Sequence, residues 1–395
     1  MLSRDLSEDL VIEILLRLPV KSLIRFKCIR KSWYDLIKSP YFISIHLNHA
    51  KLNKNPNLLL QRQHVDTIKP YFSLLSYETL EVLTDSLDIP FGPVRSSSGF
   101  FAYPCNGIIC LYWFESKPRH GDALALWNPA TGESKAIPIF HRPPNVYVDS
   151  FYLGFGLDLK SNDYKVVRIS TFICDSDHDD HFNFCNYTTM PRKTQVEVYT
   201  LSTDSWRVIN TTLPAYPRCH PKSLVYLKGV TMWKASDDDG SPLGWGENDR
   251  VILSFDLSDE VFQKSPLPPK SGIAYDECVL VINDSIAFVE LFGNIGYEWI
   301  DIWEMNDSDV ERTWTKKLRI TVHNGSRSLF LGPWGNGKFF LDTGLDELLI
   351  YDADRQAFMN TGIYGTLHSL QIVTYTESLV SFRREIEFEQ HHDIV

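Results

Sequence analysis

The chain has 395 residues, of which 44% are hydrophobic and 23% charged, a composition typical of a soluble globular protein too long for one small core. No stretch approaches the roughly 18 uncharged apolar residues of a membrane span, and the charged start MLSRDLSEDL does not resemble a secretory signal. The first 50 residues carry a net charge of +3 and the remainder −14. We therefore expect an acidic body that does not bind nucleic acid.

The first 50 residues read as short helices. Ser7 and the acids after it form a plausible helix start, and leucines and isoleucines at four-residue spacing give the helix one broad apolar face. Pro19 ends that run. A second helix is predicted from Lys21 or Ser22, with an apolar pattern that continues to Ile37, and Ser39-Pro40 opens a third.

Three short helices cannot bury all of these apolar side chains among themselves, so the residues alone leave two interpretations open. The helices could dock on the rest of the chain, or they could bind a separate protein.

The segment LSEDLVIEILLRLPVKSLIRFKCIRKSWYDLIKSPYFISIHL resembles an F-box, the adaptor-binding module of cullin-based ubiquitin ligases. The likeness includes Arg-Leu-Pro at 17–19 and Lys-Ser-Trp at 31–33; Ser7 stands where the family usually has proline. The resemblance implies contact with a Skp-type adaptor, and through it a cullin. The residues that it implies for the adaptor contact are Leu10, Ile14, Leu15, Leu18, Pro19, Leu23, Phe26 and Trp33.

From about Asn57 the pattern changes to short apolar strands separated by polar turns. One hairpin-like unit recurs, as in LWNPATGESKAIP and VYTLSTDSWRVI, at steps of 48 to 74 residues. A repeat near 50 residues indicates an irregular kelch-like β-propeller of about six blades. We expect Asn57–Phe91 and a late segment near 369–382 to share one blade and close the ring. A pair of β-sandwiches is the alternative.

The same segments resemble the type-1 F-box-associated domain of plant proteins, with YPCNGIICL, LWNPATGE and GFGLDLKSNDYKVVRI matching in type and order. Within that family the likeness is greatest to the S-locus F-box proteins of pollen. The fold class is thus mainly β with a small α-helical module in front. The predicted boundaries are 1–48 for the F-box, 49–56 for a linker, 57–385 for the propeller and 386–395 for a tail.

Two acidic segments are candidates for contact with a target protein, because charged residues around an aromatic are typical of interaction surfaces. Each could also be a solvated connection. Their candidate residues are Asp177, Asp179, Asp180, Asp237, Asp238, Asp239 and Trp245.

Cys174, His178, His181 and Cys185 have residue types that suit a tetrahedral zinc site, but an acidic excursion between two strands is the simpler interpretation and no metal is predicted. Seven scattered cysteines suit free thiols in the cytoplasm or nucleus. No phosphate loop, nucleophile-elbow serine or HExxH motif occurs, so we predict neither a cofactor nor an enzyme.

The resemblance implies a substrate-recognition subunit of a ubiquitin ligase whose target is an S-RNase, a basic ribonuclease that the acidic body would attract. An unrelated intracellular protein is the alternative target. A propeller enzyme or a sugar-binding module is the alternative function.

Overall fold

A computed structural model describes residues 7–52, 56–64, 66, 69–87, 89, 100–113, 123–138, 146–174, 192–218, 225–237, 250–294, 296–307, 312–323, 327–335, 337–344, 347–366 and 370–382. It contains a helical module followed by a six-bladed β-propeller, which confirms the predicted fold class. No helix in these ranges is long and apolar enough to cross a membrane. The predicted tail at 386–395 lies outside the described residues.

The helical module has four helices where the sequence predicted three. The predicted second helix is broken by a turn, which brings the Phe26 and Trp33 rings to 5.6 Å between centroids. In one continuous helix, residues seven positions apart would be about 10 Å apart along the axis, so the break allows this contact. The helices are α1 (Glu8–Leu16), α2 (Val20–Phe26), α3 (Lys31–Lys38) and α4 (Pro40–Leu52).

Helix α4 begins where Ser39-Pro40 predicted it, and the Ser39 hydroxyl accepts a hydrogen bond from the Phe42 N–H at 3.1 Å. It continues to Leu52, so the first four residues of the predicted linker 49–56 are helical. Residues 49–52 contain no glycine or proline to end the helix, and Pro56 is the next proline in the chain.

The first three blades are four-stranded antiparallel sheets. Blade 1 contains β1 (Asn57–Gln63), β2 (Pro70–Ser76), β3 (Val82–Leu87) and the late strand β25 (Gln371–Tyr375). Blade 2 contains β4 (Phe100–Cys105), β5 (Ile108–Trp113), β6 (Ala123–Asn128) and β7 (Glu133–Ile137). Blade 3 contains β8 (Val146–Asp158), β9 (Asp163–Cys174), β10 (Arg192–Thr200) and β11 (Ser205–Ile209).

The other three blades follow the same order, except that the first strand of blade 4 is interrupted. Blade 4 contains β12 (Tyr216–Pro217), β13 (Val225–Leu227), β14 (Val230–Ser236), β15 (Arg250–Asp256) and β16 (Phe262–Pro266). Blade 5 contains β17 (Asp276–Ile282), β18 (Ser285–Asn294), β19 (Tyr297–Asp307) and β20 (Arg312–Val322). Blade 6 contains β21 (Leu329–Pro333), β22 (Lys338–Asp342), β23 (Glu347–Asp352) and β24 (Ala357–Tyr364).

The six blades form a closed ring. The first strand of each blade contacts the first strand of the next, in the order β25, β4, β8, β13, β17, β21 and back to β25. Strand β1 pairs with β2 on one side and with β25 on the other, with Leu59 opposite Val373. The prediction that the two ends of the propeller share one blade is therefore confirmed. The β-sandwich alternative is excluded.

The recurring hairpin joins the third and fourth strands of each blade. In blades 2, 3, 4 and 6, the turn of this hairpin contains the polar residues Asn128, Ser202, Asp256 and Asp352. The backbone N–H of the fifth residue of this turn donates a hydrogen bond to the carbonyl oxygen of the first residue, as Gly132 does to Asn128 at 2.9 Å. The fifth residue has a positive φ in five of the blades: Leu80, Gly132, Asp204, Glu260 and Gln356.

Antiparallel order gives the ring two different faces. The turns between first and second strands and between third and fourth strands lie on one face, which we call the turn face. The connections between second and third strands, and those from one blade to the next, meet the other face, which we call the loop face. Helix α4 leads into β1, a second strand, from the turn face.

Candidate functional site

Helix α1 has two apolar stripes that point in different directions. Leu10 and Ile14, four residues apart, are 53% and 50% exposed. Leu15 follows Ile14 by one residue, about 100° further around the helix, and is 1% exposed. The sequence pattern had predicted one broad apolar face for this helix. The structure separates an outward stripe from an inward one.

The other predicted contact residues divide in the same way. Pro19 is exposed, whereas Leu18, Phe26 and Trp33 are partly exposed. Leu23 is 0% exposed, because it faces the interior of the module with Val20 and Ile37.

Leu15 and Leu23, which the resemblance had placed at the adaptor contact, are buried inside the module in this structure and help to stabilise it. Ile29, in the turn after α2, is 59% exposed. We call the predicted contact residues that remain wholly or partly accessible the outward face: Leu10, Ile14, Leu18, Pro19, Phe26 and Trp33.

The module also packs on the propeller. One hydrophobic cluster joins Leu15, Leu23 and Phe42 to residues of blades 1 and 2, including Phe72, Trp127 and Tyr375. One side of the helices is thus covered by the chain itself, as the first interpretation expected, and the other side remains accessible.

Polar contacts hold the module at the turn face. The Glu377 carboxylate, two residues after β25, accepts a hydrogen bond from the backbone N–H of Val20 at 3.2 Å. The Lys51 Nζ donates to Asn106 Oδ1 at 2.6 Å, in the turn between β4 and β5. Within the module, Nε2 of the buried His46 lies 3.0 Å from the Leu18 carbonyl oxygen and donates to it. Burial lowers the pKa of His46, so the ring is neutral at pH 7.

The strands before and after the two acidic segments end and begin at the loop face. Of the residues predicted to contact a target protein, Asp237 is exposed and pairs with Lys264 at 2.6 Å. The strands before and after the two acidic segments, β9 with β10 and β14 with β15, are second and third strands of their blades. The remaining candidates lie outside the described residues: Asp177, Asp179, Asp180, Asp238, Asp239 and Trp245.

The described residues contain no group of three or more histidine, cysteine or acidic side chains placed to hold a metal ion. Of the zinc candidates, His178, His181 and Cys185 lie outside those residues, and the side chain of Cys174 does too. Cys105 and Cys110 are buried in blade 2. Burial raises the pKa of Cys105 to about 12, which opposes a role as nucleophile.

Comparison with known proteins divides the chain into the same two parts. A family model described as F-box associated beta propeller domain matches residues 74–382, and one described as F-box domain matches residues 4–44. A putative F-box/kelch-repeat protein of Arabidopsis thaliana is 29% identical over 371 residues, covering 90% of this chain and 86% of the relative. An F-box protein of the same plant is 27% identical over 405 residues, covering 96% and 92%.

Among solved structures, the likeness is distant. An oligogalacturonate lyase in complex with manganese has a TM-score of 0.37 at 12% identity, over 79% of each chain. This similarity is too low to bear on the function of the present chain.

Proposed function

We propose that this chain, which belongs to the family of F-box proteins with an F-box-associated β-propeller domain, is the substrate-recognition subunit of a cullin-based ubiquitin ligase. The F-box would bind a Skp-type adaptor, and the propeller would hold the target protein. Chemistry of ubiquitin transfer would belong to other subunits. This chain would contribute the orientation and the effective concentration of the target.

The observation that carries the proposal is the outward face of the F-box. Leu10 and Ile14 are half exposed, although they belong to a helix whose inward stripe contains the buried Leu15. Burying one such side chain stabilises a complex by roughly 1.5–3 kcal/mol when it starts fully exposed, so an adaptor that covers the face would gain several kcal/mol. The module is held on the propeller through other residues, so binding of an adaptor would not require it to detach.

A pair of matched substitutions tests the assignment. Ile14→Asp is expected to abolish co-purification with the adaptor, because it places a charge at the centre of the outward face. Val208→Asp, on the outer strand of blade 3, is the control, since Val208 is 59% exposed and belongs to the propeller. Both variants should keep the circular dichroism spectrum of the wild type. Undiminished adaptor binding by Ile14→Asp would refute the assignment.

For the target, we propose an S-RNase taken up into pollen tubes. The resemblance to S-locus F-box proteins and the −14 net charge beyond residue 50 support this choice, since an acidic surface attracts a basic protein. Expression restricted to pollen, with genetic linkage to the S-locus, would agree with it. Expression throughout the leaf would favour an unrelated intracellular target.

We propose a location in the cytoplasm or nucleus, where the ligase subunits act. The buried thiols of Cys105 and Cys110 suit a reducing compartment. Imaging of a fluorescent fusion in pollen tubes tests this location, and secretion of the fusion would contradict it.

A further inference from the structure

The outer strand of blade 5 has an unusual charge. Strand β20 contains four Lys/Arg residues and no acid, whereas the outer strands of the other blades, β3, β7, β11, β16 and β24, contain at most one Lys/Arg each. The chain continues with His323 and Arg327 before the next acidic residue. This run occurs in a chain whose formal net charge is −11. We call Arg312, Lys316, Lys317, Arg319, His323 and Arg327 the basic strip.

Protection of a sheet edge does not account for the strip. Charged residues on an outer strand prevent pairing with other sheets, but charges of either sign do so. The other outer strands of this propeller achieve it with few charges. The concentration of positive charges on the outer strand of a single blade therefore needs a different explanation.

Carboxylates of the chain neutralise the strip only in part. Asp301, which is buried, accepts hydrogen bonds from both Lys316 at 2.5 Å and Arg319 at 2.6 and 2.7 Å. One negative charge thus faces two positive ones, while Lys317 pairs with Glu304 at 3.3 Å. Burial raises the pKa of Asp301, but hydrogen bonds from Arg319 and Lys316 outweigh it and lower the pKa overall, so the carboxylate is ionised. Arg319 remains 50% exposed on its solvent side.

Arg327 has no acidic partner within 4.0 Å among the described residues. Its guanidinium instead lies over the Tyr275 ring, 4.9 Å from the centroid, and the residue is exposed. The Tyr275 hydroxyl donates to the Ser328 carbonyl at 3.2 Å, which supports the ring beneath the guanidinium. Arg327 is therefore oriented and available for a carboxylate of another molecule.

An exposed aromatic platform lies beside the strip at the loop face. Tyr297 begins β19 and is 56% exposed, with His323 at 5.3 Å and Trp299 at 6.1 Å between ring centroids. Trp299 stacks on Phe292 at 5.4 Å, and Arg319 lies 5.6 Å from the Trp299 centroid. The stacked rings restrict the movement of this platform. An aromatic side chain held in place beside arginines is typical of a binding hot spot.

We propose that the basic strip and Tyr297 bind an acidic segment of the target protein that also carries an apolar side chain. This inference rests on the proposed function and adds the chemistry of the docking segment. Carboxylates of the segment would pair with Arg327 and Arg319, and its apolar side chain would cover Tyr297. The part of the site formed by Tyr297, Arg319 and Arg327 lies toward the loop face, away from the F-box, so a bound target leaves the adaptor side free. A basic target attracted by the acidic body could still present such a segment.

Binding of defined probes to the full chain tests the proposal. The probes are fluorescent decapeptides in which glutamates alternate with leucine and tyrosine, together with a glutamine analogue and a lysine analogue of the same length. Polarisation should report binding of the acidic peptide alone, weakening as salt rises. We expect Arg327→Glu to weaken binding about fivefold and Tyr297→Ala about tenfold. Lys228→Glu, an exposed lysine at the turn face, should leave the affinity unchanged.

Several results would overturn the proposal. They are no binding of the acidic peptide at millimolar concentration, equal binding of the glutamine analogue, or affinity that neither variant reduces. A heparin fragment, a single-stranded oligonucleotide and anionic vesicles are measured in parallel. If any of these binds as tightly as the peptide and with the same dependence on Arg327, the strip is a general polyanion surface. Adaptor binding is measured on the same preparations, so loss of the proposed function would be detected separately.

Discussion

Asn128 makes the connection that we expect to be most sensitive to substitution. It ends β6, is 0% exposed, and its side-chain amide donates to the carbonyl oxygens of Ser378 and Val380, each at 2.9 Å. Its Oδ1 accepts from the Ala130 N–H at 3.0 Å. One side chain thus joins the repeated turn of blade 2 to the segment that follows β25.

Asn128→Ala should reduce the free energy of unfolding by about 3–5 kcal/mol. Two donated hydrogen bonds contribute about 1 kcal/mol each, and a buried Ser378 carbonyl without its donor costs about 1–3 kcal/mol more. Asn128→Asp should be at least as harmful, because it keeps the Oδ1 acceptor but sets a carboxylate against two carbonyl oxygens.

Urea unfolding followed by tryptophan fluorescence measures the change. Asn360→Ala is the matched control, since Asn360 is exposed on β24, and it should change the free energy by less than about 0.5 kcal/mol. A loss below about 1 kcal/mol for Asn128→Ala would show that the segment after β25 is held by other contacts, and the reasoning would be wrong.

Three further predictions concern other parts of the molecule. Iodoacetamide at pH 8 should modify the exposed Cys28 quickly and Cys105 after denaturation only, as peptide mass spectrometry would show; rapid labelling of Cys105 in the native protein would contradict its burial. Burial raises the pKa of Glu277, but Lys234 and Arg250 lower it below the usual 4.5, so its contribution to stability is present above that pH and is lost as pH falls through the folded pKa. Glu277→Gln should therefore cost about 2–4 kcal/mol at pH 7 and progressively less in acid urea titrations, whereas a constant cost would refute the linkage. Glu377→Ala should cost about 1 kcal/mol and speed trypsin cleavage within residues 7–52, and an unchanged cleavage rate would show that packing alone holds the F-box.

The repeat of the propeller was visible in the sequence because four blades have asparagine, aspartate or serine in the same turn. The asparagine and the two aspartates accept backbone hydrogen bonds, as Asp256 Oδ1 does from the Ser258 and Asp259 N–H groups, and so leave a recognisable signal. Blade 1 has the same turn, and its Ser76 hydroxyl accepts a hydrogen bond from the Thr79 N–H at 3.2 Å. Its left-handed position is occupied by Leu80, a residue that rarely adopts positive φ, and the hairpin was not predicted.

The division of the F-box into an inward and an outward face was not predictable from spacing alone. Ile14 and Leu15 are both large, apolar and adjacent in the sequence, and the position of the propeller decides which of them is covered. Contacts such as that between Val20 and Glu377 join residues 357 positions apart. Local patterns contain no information about such a pair, so the docking of the module required the structure.

Closure of the ring by β25 has a consequence for synthesis of the protein. The helices of the F-box leave the ribosome first, but the surface that supports them includes Tyr375 and Leu379, which are made after every other strand. A nascent or truncated chain can therefore fold the helices without placing them at a defined angle to the propeller. Under the proposed function, an incomplete chain would still bind the adaptor, but it would not hold a target at a fixed orientation to the ubiquitin-bearing enzyme.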